Sequence, residues 1–232
     1  MIGALYEAST WVIPVVLAIT LHEAAHGYVA WKLGDDTAYR LGRVSFNPLR
    51  HVDLFGTLVL PALLMLARSP FLFGYAKPVP VAFWRLSNPR WGMVAVALAG
   101  PGINLLLAIV AALAIRGLLE VQVPREWMPG LKWGADNLFR MVDINVILAV
   151  FNMLPIPPLD GGRVLTGLLP EPLSGWLAGF ERKGMLILIA LLFILPFLGH
   201  QIGVDLNLLA WAVGTPAGWL SQLMLTLTGL EP

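Results

Sequence analysis

The chain has 232 residues, of which 58% are hydrophobic and 12% charged, and its formal net charge at pH 7 is +1. A soluble domain carries roughly a quarter charged residues. This composition, with a mean hydropathy of +0.77, therefore describes a polytopic chain whose main solvent is a bilayer. The near-neutral charge, with no basic stripe interleaved with aromatics, argues against a nucleic-acid partner. The absence of cysteine excludes disulfides, cysteine-rich zinc sites and thiol nucleophiles together.

The expected fold class is an all-α polytopic transmembrane bundle of about five to six helical segments with a small membrane-associated β segment. It is read as one domain over residues 1–232, with core motifs in 22–165 and C-terminal helices in 185–227. The first apolar stretch, residues 8–33, is a retained helix rather than a cleaved leader. The nine residues before Thr10 hold no Lys or Arg, and Glu7 is acidic, so a positive n-region is missing. Gly34 is the expected C-cap. Residues 37–53 are polar, and Val44 and Phe46 between Gly42 and Pro48 suggest a short strand. Residues 54–66 are apolar but short and hold Pro61, so they either span or re-enter.

Residues 74–83 (GYAKPVPVAF) lean towards β structure, and Pro78 and Pro80 confine such a strand to an edge. Residues 91–119 form a long apolar helix, 121–136 a polar connection, and 138–154 a helix broken by Pro155, Pro157 and Pro158. Residues 159–169 resume as a half-helix, followed by apolar stretches at 185–198 and 206–227. Lys32, Arg40, Arg43 and Arg50 cluster after the first helix, which sets that loop in the cytoplasm.

Chemistry concentrates in the apolar stretches. His22, Glu23 and His26 form HEAAH in the first helix. Residues four apart share a helical face, so both imidazoles can converge on one ion, with Glu23 within reach of a water there. The pattern is the H-E-x-x-H of zinc hydrolases. Its bland alternative is three polar residues facing a bundle interior. A central charge in a membrane helix costs about 2.5–3.5 kcal/mol on insertion scales, which favours a functional reading. A catalytic zinc needs a third protein ligand and an open position. Asp160, between Pro155-Ile156-Pro157-Pro158-Leu159 and Gly161-Gly162, is presented at a helix break. It could instead cap the following helix, and Arg163 lies within one turn as a candidate partner. His51, beside Arg50 and Asp53, fits a structural role better than an auxiliary metal.

HEAAHGYVAWKLGD, LAGPGIN (98–104) and FNMLPIPPLDGGRVL (151–165) together resemble the site-2 protease family of intramembrane zinc metalloproteases. NPLRHVDLFGT and GYAKPVPV are similar to its compact subgroup without PDZ or CBS domains. The resemblance implies one Zn2+ per chain, held by His22, His26 and Asp160, with Glu23 as the catalytic carboxylate. It implies that Asn152 helps hold substrate backbone or the oxyanion, a role balanced by a simple hydrogen bond at the proline break. Asn104, after the Gly-Pro of the third helix, has the same candidate role, with helix tying the better reading. The implied activity is hydrolysis of peptide bonds in or near transmembrane segments of membrane proteins, by a multi-pass protein of the cell membrane. The implied partners are a transmembrane protein or peptide substrate and the lipid bilayer. The 74–83 segment would pair with an unwound substrate. The alternative is a membrane metal or solute transporter using the same His/His/Asp set; transporters often show repeated halves with matching broken helices, whereas this sequence has a single broken helix and no repeat.

Overall fold

The computed structural model describes residues 2–59, 63, 66 and 76–230. Helix α1 (Ile2–Lys32) is followed by a single turn, α2 (Thr37–Arg40). After an irregular stretch come α3 (Pro89–Leu119), α4 (Met128–Asn152) and the short α5 (Asp160–Leu168). Next are α6 (Leu173–Gly179), α7 (Glu181–Ile189), α8 (Leu195–Ile202) and α9 (Leu208–Leu227). A π-helical turn, Ala190–Ile194, joins α7 to α8.

Local chemistry sets the helix ends. Gly34 has φ of 109°, a conformation that glycine adopts without a Cβ penalty. The Gly34 amide donates to Trp31 O at 3.2 Å and the Asp35 amide to Ala30 O at 2.9 Å. This is the Schellman pattern, which satisfies carbonyls that α1 would otherwise leave open. At the start of α3, Asn88 accepts the Trp91 amide at 3.2 Å and Pro89 takes the first position, where its missing N–H costs nothing.

Helix α3 is the centre of the molecule and packs on α1, α4, α5 and α9. Ala108, Ala111, Ala112 and Ile115 meet Val142 and Val146 of α4 and Ala217 and Met224 of α9. Lipid is as apolar as these side chains, so close backbone approach over small residues does the packing that water would otherwise drive. Towards α5 the contact is Val94 and Ala97 against Val164. The Arg90 guanidinium then donates to Gly167 O, Leu168 O and Leu169 O at 2.6, 3.2 and 2.8 Å. A cation on the last carbonyls of a helix is favourable, and it clamps α5 to the head of α3.

Several expectations change. Among the described residues there is no strand. Residues 76–82, the described part of the expected 74–83 segment, run extended and unpaired; 74 and 75 lie outside the described residues. The reason is that side chains and loops already hold the groups a ladder would use. The Lys77 amide donates to His51 O, the Val79 amide to Glu23 Oε2 and the Ala82 amide to Asp35 Oδ2. Arg43 binds the carbonyls of Lys77 and Pro78, and Pro78 and Pro80 have no N–H to give. Residues 44–46, also expected as a strand, bend between α2 and the 3₁₀ turn Pro48–Arg50. In the 54–66 stretch, Leu54–Val59 is a π-helical turn, and most of the remainder lies outside the described residues.

The expected polar connection 121–136 is helical from Met128 onward, so α4 begins ten residues before the expected 138. Its polar residues have partners on α1. Tyr6 Oη donates to Asp136 Oδ2 at 2.5 Å, Trp133 Nε1 donates to Ser9 Oγ at 2.8 Å, and Arg140 lies 4.1 Å from the centre of the Trp11 ring. Of the about five to six helical segments expected, three helices among the described residues are long and apolar enough to cross a membrane. They are Leu5–Lys32, Pro89–Leu119 and Lys183–Ile202. Lys132, Asp136, Arg140 and Asp143 make α4 too charged along its first turns, and α5 has only nine residues.

Candidate metal centre

His22 and His26 are one turn apart on α1, and Asp160 is the first residue of α5. All three are buried. The two Nε2 atoms are 3.0 Å apart, and Asp160 Oδ2 lies 3.2 Å from His22 Nε2 and 3.3 Å from His26 Nε2. The backs of the rings are fixed. His22 Nδ1 faces Asn104 Oδ1 at 2.6 Å and His26 Nδ1 faces Val96 O at 2.7 Å, both on α3. A carbonyl can only accept, so Val96 puts the proton of His26 on Nδ1 and leaves a lone pair on Nε2. Asn104 Oδ1 does the same for His22. Two imidazole lone pairs and a carboxylate oxygen then converge on one buried point.

Such a set repels itself unless a proton or a metal cation lies among its members. His, His and Asp donors on a metal, with one position open, suit zinc. Asp160 is free for this role. Its Oδ2 is buried without a hydrogen-bond partner beyond the two imidazoles. The sequence-level pairing with Arg163 is not formed; Arg163 binds Glu181 at 3.0 Å instead. Glu23 follows His22 on α1, and its Oε2 accepts the Val79 amide at 2.8 Å.

The signature of peptidase family M50 matches residues 121–195, a span that includes Asp160 but not the histidine pair. The chain is 36% identical over 197 residues to "Putative zinc metalloprotease YwhC" of Bacillus subtilis (strain 168), covering 84% of this chain and 85% of that one. The chain belongs to peptidase family M50. That is the site-2 protease family, whose members are zinc metalloproteases acting within membranes. Rip2 of Mycobacterium tuberculosis (strain ATCC 25618 / H37Rv), which carries the same descriptive name, is 30% identical over 190 residues, covering 82% of this chain and 68% of its own. No solved structure matches the chain. Membership in M50 favours the protease reading over the transporter alternative.

Of the remaining residues singled out from sequence, Asn152 stands at the C-terminal end of α4 and donates its amide to Leu148 O at 3.0 Å, one turn back. Asn104 stands behind His22, on the side away from the converging Nε2 atoms. His51 is buried with Nε2 3.0 Å from Ser45 O, and it is not among the three converging donors.

Three contributors escaped the sequence reading. Gly100 of α3 lies against both ligand rings: a Cβ there would be 2.5 Å from His22 Nε2 and 2.6 Å from His26 Cε1. It was quoted within LAGPGIN, but nothing in a single sequence marks a glycine as the one facing the site. Asn145, wholly buried on α4, carries no motif signal beyond being an asparagine in an apolar run. Val79 meets Glu23 through its main chain, which side-chain patterns do not reveal.

Proposed function

We propose that this M50 protein hydrolyses peptide bonds in or near transmembrane segments of membrane proteins, as a multi-pass protein of the cell membrane acting as one domain. His22, His26 and Asp160 hold the zinc and Glu23 is the catalytic carboxylate. The observation that carries this reading is the convergence of the three buried donors on one point, with Glu23 on the same helix as two of them.

Bound there, zinc supplies Lewis acidity, which polarises a carbonyl and lets a water lose its proton near neutral pH. Glu23 takes that proton and returns it to the leaving amine, the two halves of general acid–base catalysis. The three donors are buried, and fixed dipoles act more strongly in such a site than in water. Asn152, at the mouth of the break between α4 and α5, offers an amide N–H to the substrate backbone or to the developing oxyanion. Its second N–H remains for that task beside the one given to Leu148 O. A transmembrane substrate must expose its backbone to be cut, since an intact helix conceals its carbonyls.

The test compares wild type with Glu23→Gln and His22→Ala in detergent, reading zinc per chain and cleavage of a helix-destabilised transmembrane peptide. The expected result is about one zinc in wild type and Glu23→Gln, a strong loss in His22→Ala, and cleavage by wild type alone. Cleavage by Glu23→Gln at the wild-type rate would remove Glu23 from the chemistry. A zinc-loaded wild type that transports the ion and cuts nothing would restore the transporter.

A further inference from the structure

Behind the ligand pair lies a polar chain that crosses three helices. Asn104 of α3 and Asn145 of α4 are both 0% exposed. Asn145 Nδ2 donates to Met141 O at 2.8 Å, one turn back on its own helix. Asn104 Nδ2 donates to Asn145 Oδ1 at 2.7 Å and to Ala18 O of α1 at 3.3 Å. Asn104 Oδ1 is left for His22 Nδ1 at 2.6 Å.

The direction of this chain is forced at both ends. Met141 O is a backbone carbonyl and accepts only. Turning the Asn145 amide over would set its oxygen against that carbonyl and its nitrogen against the nitrogen of Asn104. Turning Asn104 over would set its oxygen against Ala18 O. Only one arrangement satisfies every group, and it presents an acceptor to His22 Nδ1. That acceptor keeps the imidazole proton on Nδ1 and the lone pair of Nε2 aimed at the metal point.

The geometry points to Asn145 as a positioning residue for the metal centre, acting through Asn104 on the tautomer and orientation of His22. The inference rests on reading His22, His26 and Asp160 as the zinc set. Metal-ligating histidines commonly give their second N–H to a fixed acceptor, and removing that acceptor costs about 10–100-fold in metal affinity. Here the acceptor is a neutral amide, which by itself could face His22 with either its oxygen or its nitrogen. Asn145 Oδ1, at the shorter distance, makes the choice together with Ala18 O. Without Asn145, Asn104 loses one of the two acceptors that hold its nitrogen away from His22.

A network that merely ties helices together would behave differently. Interhelical hydrogen bonds of this kind stabilise a bundle modestly, and their loss would show in unfolding while zinc affinity stayed put. The experiment is a zinc titration of the full chain in detergent against a chelating indicator, on wild type, Asn104→Leu, Asn145→Leu and the double variant. Thermal unfolding and the visible spectrum of the cobalt(II)-loaded protein are read beside it.

Zinc affinity is expected to fall by about 10–100-fold in Asn104→Leu and measurably, though less, in Asn145→Leu. The double variant should bind no more weakly than Asn104→Leu alone, because Asn145 has no route to the metal except through Asn104. The cobalt spectrum should change in both single variants. Wild-type zinc affinity in a folded Asn145→Leu overturns the relay and leaves the metal centre standing, as do additive losses in the double variant. A wild type that binds no zinc overturns the metal centre and the relay together. If Asn145→Leu does not fold, Asn145→Ser carries the same comparison, since the shorter side chain also breaks the bond to Asn104 without adding apolar bulk.

Discussion

Residue by residue, the metal centre depends on how closely α3 approaches α1, and Gly100 sets that distance. In an ordinary helix interior, Gly→Ala gains about 0.8–1.0 kcal/mol of helix propensity. At Gly100 the same methyl would lie 2.5 Å from His22 Cε1 and Nε2, well inside contact distance. Either the rings move or α3 does, and both displace Nε2 from the metal point. Gly100→Ala should therefore lose at least about tenfold in zinc affinity, the lower end of what a disturbed ligand environment costs, and peptidase activity with it. Zinc titration beside circular dichroism checks this: unchanged affinity with unchanged helix content would mean that the contact is relieved at no cost.

For single elements, the extended run 76–82 is the clearest case of structure imposed from outside. It is held across Glu23 by Asp35 and Arg43 at its two ends, and Arg43 also reaches Arg50 O. Asp35 is 0% exposed and accepts from the Thr37 amide and hydroxyl and from the Ala82 amide. Burial alone would raise its carboxyl; the hydrogen bonds from Thr37 and Ala82, with the charge of Arg85, outweigh burial and hold it below the ordinary carboxylate range. The unfolded chain therefore binds the Asp35 proton more readily than the folded one. The clamp's contribution is complete above about pH 3.9, the unfolded value, and is lost as pH falls through the lower folded value. Hydrogen exchange at the Ala82 amide, corrected for its intrinsic rate, should show constant protection between pH 7 and about pH 5. Asp35→Asn should lose that protection at pH 7, because an amide can no longer accept from both sides. Equal protection in wild type and Asp35→Asn at pH 7 would mean that other contacts hold the run.

On the scale of the whole molecule, the donors bridge two parts of the chain with few other ties near the site. His22 and His26 belong to α1 and Asp160 to α5, and both helices pack on α3 rather than extensively on each other. A metal held by all three adds a crosslink that exists only in the folded state. At free zinc 100-fold above its dissociation constant this stabilises the fold by about 2.7 kcal/mol. A chelator should accordingly lower the thermal midpoint of the wild-type protein. It should leave Asp160→Ala nearly unmoved, because that variant has little metal to lose. An equal chelator effect on both proteins would show that the metal being removed is not the one at this site.

Much of this was legible before any coordinates. The apolar stretches 8–33 and 91–119, the H-E-x-x-H spacing and the proline-broken run ahead of Asp160 come from composition and local periodicity, which a sequence carries residue by residue. They led to the M50 family and to a grouping of His22, His26 and Asp160 that the fold does bring together. The expected β segment failed because strand propensity is a local property, whereas the availability of backbone partners is not. Asp35, Arg43, His51 and Glu23 claim the groups that a ladder would have used. Gly100, Asn145 and the Val79 amide stayed hidden for a related reason. Each acts through contacts between helices 41 to 82 residues apart in sequence or through the main chain. The sequence by itself determined which donors could hold a metal. Only the packing of α1, α3, α4 and α5 decided which atoms face it, because orientation in a buried polar network is set by what the neighbouring helices leave unsatisfied.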